Sequence, residues 1–316
     1  MTVLARRTFL QGIGGAAIAA TGLHVRDANA QQVLWSSGTE PAKLKVPGDA
    51  CDCHHHIYDG RFPIAPTATL KPGDAKAADY KALQKRIGTT RSVVVQPSTY
   101  GTDNSCTLAA LAALGASARA IAVVTDAVTD AELKRLAGLG VKGIRFNLIQ
   151  AGATSQEMIE PLAKRIASLG LHVQINASAD RLLEILPMLE RLPTPLVFDH
   201  LAHIPQPEGP AHPLFGRIRA LIDKGRTWVK LSGAYIDSKV GGPTYADATV
   251  VARAYVKAAP ERLVWGSDWP YPTEQTHKPD DALIFDLLGD WAPDAHTRHR
   301  ILVENPQALY GFAASR

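Results

Sequence analysis

Residues 50–57 read Ala50-Cys51-Asp52-Cys53-His54-His55-His56-Ile57, after a short apolar lead from Val46 and before a turn at Asp59-Gly60. A strand alternates faces with period two, so His54 and His56 share one face and His55 takes the other. Two imidazoles on one face at a strand end can hold a metal or bracket a developing charge. Far along the chain, Leu263-Val264-Trp265-Gly266-Ser267-Asp268-Trp269-Pro270 ends another strand with a carboxylate.

Between these two stretches lie six more runs of the same kind. Expected strands fall at 50–57, 92–98, 120–125, 143–149, 172–177, 196–201, 227–234 and 263–268. Most are short Val/Ile/Leu-rich runs bounded by turn signals, as buried parallel strands should be. Helical patterns fill the gaps at 79–87, 130–136, 155–169, 180–192, 214–224, 245–258 and 294–303. Several stop at Gly or before Pro, where helices end. With no compositional break to mark a second domain, the alternation predicts one α/β domain over 49–316, a (β/α)8 TIM barrel. No glycine-rich phosphate fingerprint follows a strand, which argues against a dinucleotide site.

Ahead of the barrel, 31–48 is polar and marked by Pro and Gly, an extended lead-in, and 1–30 has the form of an export signal. Arg6-Arg7-Thr8-Phe9-Leu10 is a twin-arginine pattern, 11–23 is weakly apolar, and Ala28-Asn29-Ala30 is a small-x-small cleavage site. The expectation is a twin-arginine (Tat) signal peptide and a periplasmic mature protein. Cleavage removes Arg6, Arg7, Arg26 and Asp27, so the net charge falls from +4 to +2. That balance leaves no footprint for nucleic acid and suits a small anionic substrate. No internal stretch is long and apolar enough to span a membrane. Three cysteines, Cys51, Cys53 and Cys106, are too few and too oddly spaced for a disulfide framework or a CxxC metal site, and are expected as small core residues.

The C-terminal strand ends of a TIM barrel converge on one site. Period two then points His54 and His56 inward from strand one, Gln96 and Ser98 from strand two, and Arg145 and Asn147 from strand four. Strand five offers Gln174 and Asn176, strand six His200, strand seven Lys230 and Ser232, and strand eight Asp268. A packed barrel interior prefers branched apolar residues, so a polar ring of this size is costly unless it binds something. Arg145 needs an anion, and a substrate carboxylate is favoured over a structural ion pair. His203 reads as a loop residue, and His172 lies at the far end of its strand.

Asp52-Cys53-His54-His55-His56, Phe198-Asp199-His200 and Trp265-Gly266-Ser267-Asp268-Trp269-Pro270 together resemble the amidohydrolase superfamily. The branch they resemble is the amidohydrolase-related group that holds 2-pyrone-4,6-dicarboxylate lactonase, sulfomuconolactone hydrolase and galactarolactone isomerase. Gly143-Ile144-Arg145-Phe146-Asn147 and Glu304-Asn305-Pro306 also fit it. The resemblance implies a hydrolase that opens a carboxylated lactone by attack of water. Asp268 would be the general base, and His54, His56 and His200 would stabilise the oxyanion. Arg145, Asn147, Gln96 and Ser98 would bind the substrate carboxylate.

Metal-dependent members bring a His from the end of strand five, where this chain has Asn176. The resemblance therefore implies either no cofactor or one divalent metal, zinc foremost, held by His54, His56, His200 and Asp268. The other readings are a metal-dependent hydrolase or decarboxylase, a lactone isomerase, or a periplasmic carboxylate binder without turnover. The loops 104–107, 205–213 and 235–245 are expected to shape the choice of lactone.

Overall fold

A computed structural model describes residues 32–150 and 152–314. The segment 1–30, expected as an export signal, lies outside the described residues. Eight strands follow one another: β1 (Cys51–His55), β2 (Arg91–Val95), β3 (Ala118–Ala122), β4 (Val141–Asn147), β5 (His172–Asn176), β6 (Leu196–Phe198), β7 (Thr227–Leu231) and β8 (Leu263–Trp265). They form one sheet in chain order, every neighbouring pair parallel. The sheet closes into a barrel just past β8, where the Asp268 N–H donates to the His54 carbonyl and the His56 N–H to the Trp269 carbonyl, both at 2.8 Å. Gly266 makes that approach possible: a Cβ there would lie 2.6 Å from the His54 Cβ and 2.9 Å from its backbone nitrogen.

The helices lie between the strands, as expected, at Ala77–Ile87, Asp130–Gly138, Ile159–Ile166, Ala179–Leu189, Pro213–Asp223, Ala246–Ala258 and Ala295–His299. The second of these starts on Thr129, whose side chain accepts the Glu132 N–H at 3.1 Å. Among the helices that were not expected, the two long ones are Ser105–Leu114 and Asp281–Trp291. The first reads SCTLAALAAL, so rich in Ala and Leu that no polar face marks its period. Its presence corrects the expected substrate loop at 104–107. Asn104 instead ties the helix start to β3 through Val123, accepting its N–H at 3.0 Å and donating to its carbonyl at 2.8 Å.

Two apolar layers result. Outward-facing residues such as Val94, Ala120, Ile144, Phe146, Val173, Ile175, Phe198, Val229 and Trp265 pack under the helices. Cys51, Cys53, Val93, Val95, Ile121, Val197 and Val264 form a second cluster inside the barrel, with Trp228, Tyr310 and Phe312. All three cysteines are free and buried. The described lead-in residues 32–48 contain no helix or strand. They lie across the barrel, with the Leu34 carbonyl accepting from Trp269 Nε1 at 2.7 Å and the Lys43 N–H held by Asp286 at 2.9 Å.

Strand β1 carries a bulge. Asp52 pairs with Ser92 but His55 with Val94, so β1 holds one extra residue between them. A bulge re-aims the side chains beyond it. Cys51 and Cys53 therefore fill the barrel interior, and after the bulge His54 and His56 point into the mouth. His55 turns outward and stacks on Tyr80, ring centroids 3.5 Å apart and planes 3° from parallel.

Candidate active site

His54, His56, His200 and Asp268 meet at the C-terminal mouth of the barrel, all buried. The Oδ1 atom of Asp268 faces three imidazole Nε2 atoms: His56 at 3.4 Å, His54 at 3.5 Å and His200 at 3.9 Å. It has no hydrogen-bond partner of its own, while Oδ2 accepts from the Tyr235 hydroxyl at 2.7 Å. Burial alone would raise the Asp268 pKa, but the imidazoles of His200, His56 and His54 outweigh it and hold the carboxyl well below the usual range. Burial pushes His200 down to about 4 and His54 well below its ordinary value, so both rings are neutral at neutral pH.

Beneath this cluster lies a buried ionic layer. Lys230 Nζ donates to Gln174 Oε1 at 3.0 Å and to His54 Nδ1 at 3.2 Å, and stands 3.5 Å from Asp199 Oδ1. Asp199 Oδ2 accepts from Arg145 Nε at 3.0 Å and Gln174 Nε2 at 3.2 Å. With Lys230 as an ammonium, which has donors only, His54 Nδ1 accepts and the proton of His54 sits on Nε2, facing the mouth; Asp199 Oδ1, also 3.2 Å from Nδ1, is the partner of the other tautomer. His56 Nδ1 donates to the Val95 carbonyl at 2.8 Å, which leaves its Nε2 as the lone pair that His54 Nε2–H meets at 3.3 Å. Asp199 was not among the expected site residues. On β6, Val197 faces inward, so alternation aims Asp199, not His200, at the barrel axis.

His200 reaches the mouth by another device. Residues His200, Leu201, Ala202 and His203 all have positive φ, between 48° and 57°. A left-handed turn of this kind is costly for L-residues and marks functional segments. With about three residues per turn, positions i and i+3 come to the same side, so His203 joins His200 with ring centroids 5.6 Å apart. Gly233, at φ +63°, passes beneath His200, where a Cβ would lie 2.6 Å from Nδ1. His203 is thus a buried wall residue of the site, beyond the loop role expected for it. Its Nδ1 lies 3.0 Å from Asp237 and its Nε2 2.7 Å from Asn176 Oδ1.

The mouth opens on a cavity of about 490 Å³, its open end included. Its walls include His56, His200, Asp268, Arg145, Asn147, Asn176 and Ser98 from the residues expected to converge, together with Tyr58 and His203. Gln96 corrects the expectation. Val93 and Val95 face the barrel interior, so Gln96 faces away, and its amide is spent on the carbonyls of Gly101 (3.2 Å) and Asp103 (2.9 Å) and on Thr107. Arg145 borders the cavity and is at the same time the ion-pair partner of Asp199. Asn147 Oδ1 accepts from the Ile149 and Gln150 N–H groups at 3.2 Å and from Asn176 Nδ2 at 3.0 Å, which fixes the wall of the loop after β4. Of the loops expected to select substrate, 235–245 contributes Ile236, whereas 205–213 does not border the cavity.

The donor set fits one metal ion. One ligand atom each from His54, His200 and Asp268 lies within 4.8 Å of the others. Asp268 Oδ1 is the unpartnered buried atom aimed into the gap, and His56 Nε2 offers a lone pair beside it. Three nitrogens and one carboxylate oxygen match the preferences of zinc. A metal on His54 Nε2 would move that proton to Nδ1, where Asp199 Oδ1 waits at 3.2 Å.

Comparison with known proteins agrees with this geometry. The amidohydrolase family model Amidohydro_2 matches residues 51–312. A 2-pyrone-4,6-dicarboxylate hydrolase of Comamonas testosteroni is 34% identical over 87% of this chain and 94% of its own length. A D-galactarolactone isomerase of Agrobacterium fabrum is 32% identical over 87% and 94%. The crystal structure of a probable 2-pyrone-4,6-dicarboxylic acid hydrolase from Acinetobacter baumannii, with citric acid bound, superposes with a TM-score of 0.72 at 26% identity, over 84% of this chain and all of that one (100%). With the family model spanning nearly the whole barrel and the β1, β6 and β8 ends assembled at its mouth, the chain belongs to the amidohydrolase family and is a hydrolase of that family.

Proposed function

We propose that the protein hydrolyses a carboxylated lactone, with Asp268 as general base. The observation that carries this reading is the unpartnered Asp268 Oδ1 facing three imidazoles at the floor of a cavity that Arg145 borders. Arg145, with Asn147 and Ser98 on the same wall, receives the substrate carboxylate and orients the ring. Water adds to the lactone carbonyl carbon as Asp268 takes its proton. The His54 Nε2–H, fixed by Lys230, donates to the oxyanion, and His56 and His200 flank it. The tetrahedral intermediate then expels the ring oxygen, to which Asp268 returns the proton, giving a ring-opened hydroxy acid. A divalent metal, zinc by the donor set, held by His54, His56, His200 and Asp268 would supply Lewis-acid polarisation of the carbonyl and a more acidic water. The roles of Arg145 and of Asp268 as proton carrier are the same in either case.

The test is a proton-release assay on a panel of carboxylated lactones, with wild type and Asp268→Asn, with and without a strong chelator. Asp268→Asn should retain the wild-type circular dichroism spectrum and lose roughly 10²–10⁴-fold in turnover. Near-wild-type turnover in that variant would sink the general-base assignment. Turnover that survives the chelator means the side chains suffice; turnover lost and restored by zinc means a metal takes part.

A further inference from the structure

The charges around the cavity can be matched one against another. Among the described wall residues Arg145 is the only Lys or Arg. Its Nε is committed to Asp199, and Lys230 below shares that same carboxylate. His203 is matched by Asp237 at 3.0 Å. That carboxylate faces the His203 ring and leaves it no charge to spare for a bound anion. Asp268 on the same wall is a carboxyl and supplies no cation. If Lys230 is charged, Arg145, Lys230 and Asp199 leave one positive charge in surplus; if it is neutral they leave none. In neither state does a second cation remain among the described wall residues for a second anionic group; a zinc ion held by His54, His56, His200 and Asp268 would add its charge beside Asp268 and not on the rest of the wall. The rest of the wall is uncharged, apolar at Leu70, Pro97, Ile149, Ile236 and Pro272 and neutral polar at residues such as Gln150 and Thr273. A carboxylate set against those side chains would give up part of its hydration with no counter-charge in return, which is unfavourable.

We infer that the substrate is a lactone with a single carboxylate, bound by the Arg145 groups that Asp199 leaves free, its other ring substituents uncharged and set against the apolar wall. The inference rests on the lactonase reading and narrows it. It separates this chain from what the name of the Comamonas testosteroni relative says that protein acts on, a dicarboxylate.

Two probes that share one ring decide it, 2-pyrone-6-carboxylate and 2-pyrone-4,6-dicarboxylate. Their binding is measured by calorimetry and their hydrolysis as kcat/KM, on chelator-treated and on zinc-supplemented protein. In both preparations the monocarboxylate should bind about tenfold or more tightly and be hydrolysed with the higher kcat/KM. Ile149→Arg adds a cation at a wall position that is 44% exposed and so tolerant of substitution. It should raise dicarboxylate affinity by about tenfold and change monocarboxylate affinity much less. A dicarboxylate that binds wild type as tightly as the monocarboxylate overturns the inference, and so does binding of neither probe. If the monocarboxylate binds with the expected preference but neither probe is hydrolysed, the lactonase reading fails and the single-carboxylate site stands.

Discussion

Lys230 shows how much of this site is decided one side chain below the cavity. It is fully buried, and its contact with His54 Nδ1 puts the His54 proton on Nε2, where an oxyanion can use it. Lys230→Met keeps the length of the side chain and removes the donor. The expected outcome is a fall in kcat of roughly 10–100-fold, typical of groups that orient a site residue, with KM nearly unchanged because Arg145 still receives the carboxylate. Loss of one member of a buried ionic group should also cost about 3–5 kcal/mol, read from urea unfolding. An unchanged kcat would show that His54 does not depend on Lys230 for its tautomer. From the sequence, His54, His56 and Asp268 were legible because each is a polar residue at a strand end. Asp199 and His203 were not. Asp199 was hidden by assigning the inward place on β6 to its neighbour, and His203 by a backbone conformation that no alternation rule contains.

Two local backbone devices turn ordinary strand ends into a site: the bulge in β1 and the left-handed turn at 200–203. The turn can be tested directly at Ala202, which is buried at φ +57°. Glycine accepts that conformation freely and a β-branched residue hardly at all. Ala202→Gly should melt at or above the wild-type temperature. Ala202→Val should lose roughly 1–3 kcal/mol of stability and lose activity as His200 and His203 leave their places. A Gly variant that melts well below wild type would mean that the turn is not strained. The expected strands ran three residues past the observed ends on β2, β3, β6, β7 and β8. The overrun is itself informative, because Ser98, His200 and Asp268 sit in those overhangs, where the chain leaves the sheet and lines the cavity. The helix Ser105–Leu114 was illegible for the opposite reason: its composition is too uniformly apolar to display a period.

For the molecule as a whole, burial of histidine sets the response to acid. His54 and His55 are held well below their ordinary pKa by burial, His200 at about 4 and His172 at about 3. The unfolded chain takes up protons at these rings below about pH 6.5, whereas the folded chain does so only at much lower pH. Their contribution is therefore complete above pH 6.5 and is lost as pH falls. Asp52 and Asp281, which burial raises to about 6 and about 7, act in the other direction: they favour the fold at low pH and cease to as pH rises through those values. The four imidazoles outnumber the two carboxyls, so the melting temperature should rise between about pH 4.5 and pH 6. A series of melts in that range checks this, and a flat or falling profile would contradict the neutral, buried state assigned to the four histidines.

The eight-fold alternation of strand and helix, the closed barrel and the meeting of the β1, β6 and β8 strand ends were all determined by the sequence alone, because hydrophobic periodicity and turn residues act locally and the barrel brings its strand ends together without further instruction. The tertiary structure alone decided the phase of each strand end. One bulged residue in β1, the alternation that turns Gln96 away on β2, and four left-handed residues after β6 determine which side chains reach the cavity. They also place Asp199 and Lys230 beneath it, so that Arg145 is both a wall of the cavity and half of a buried ion pair. Those outcomes depend on contacts between residues as far apart as His54 and Lys230, and the energies of such contacts leave no trace in the periodicity of either segment.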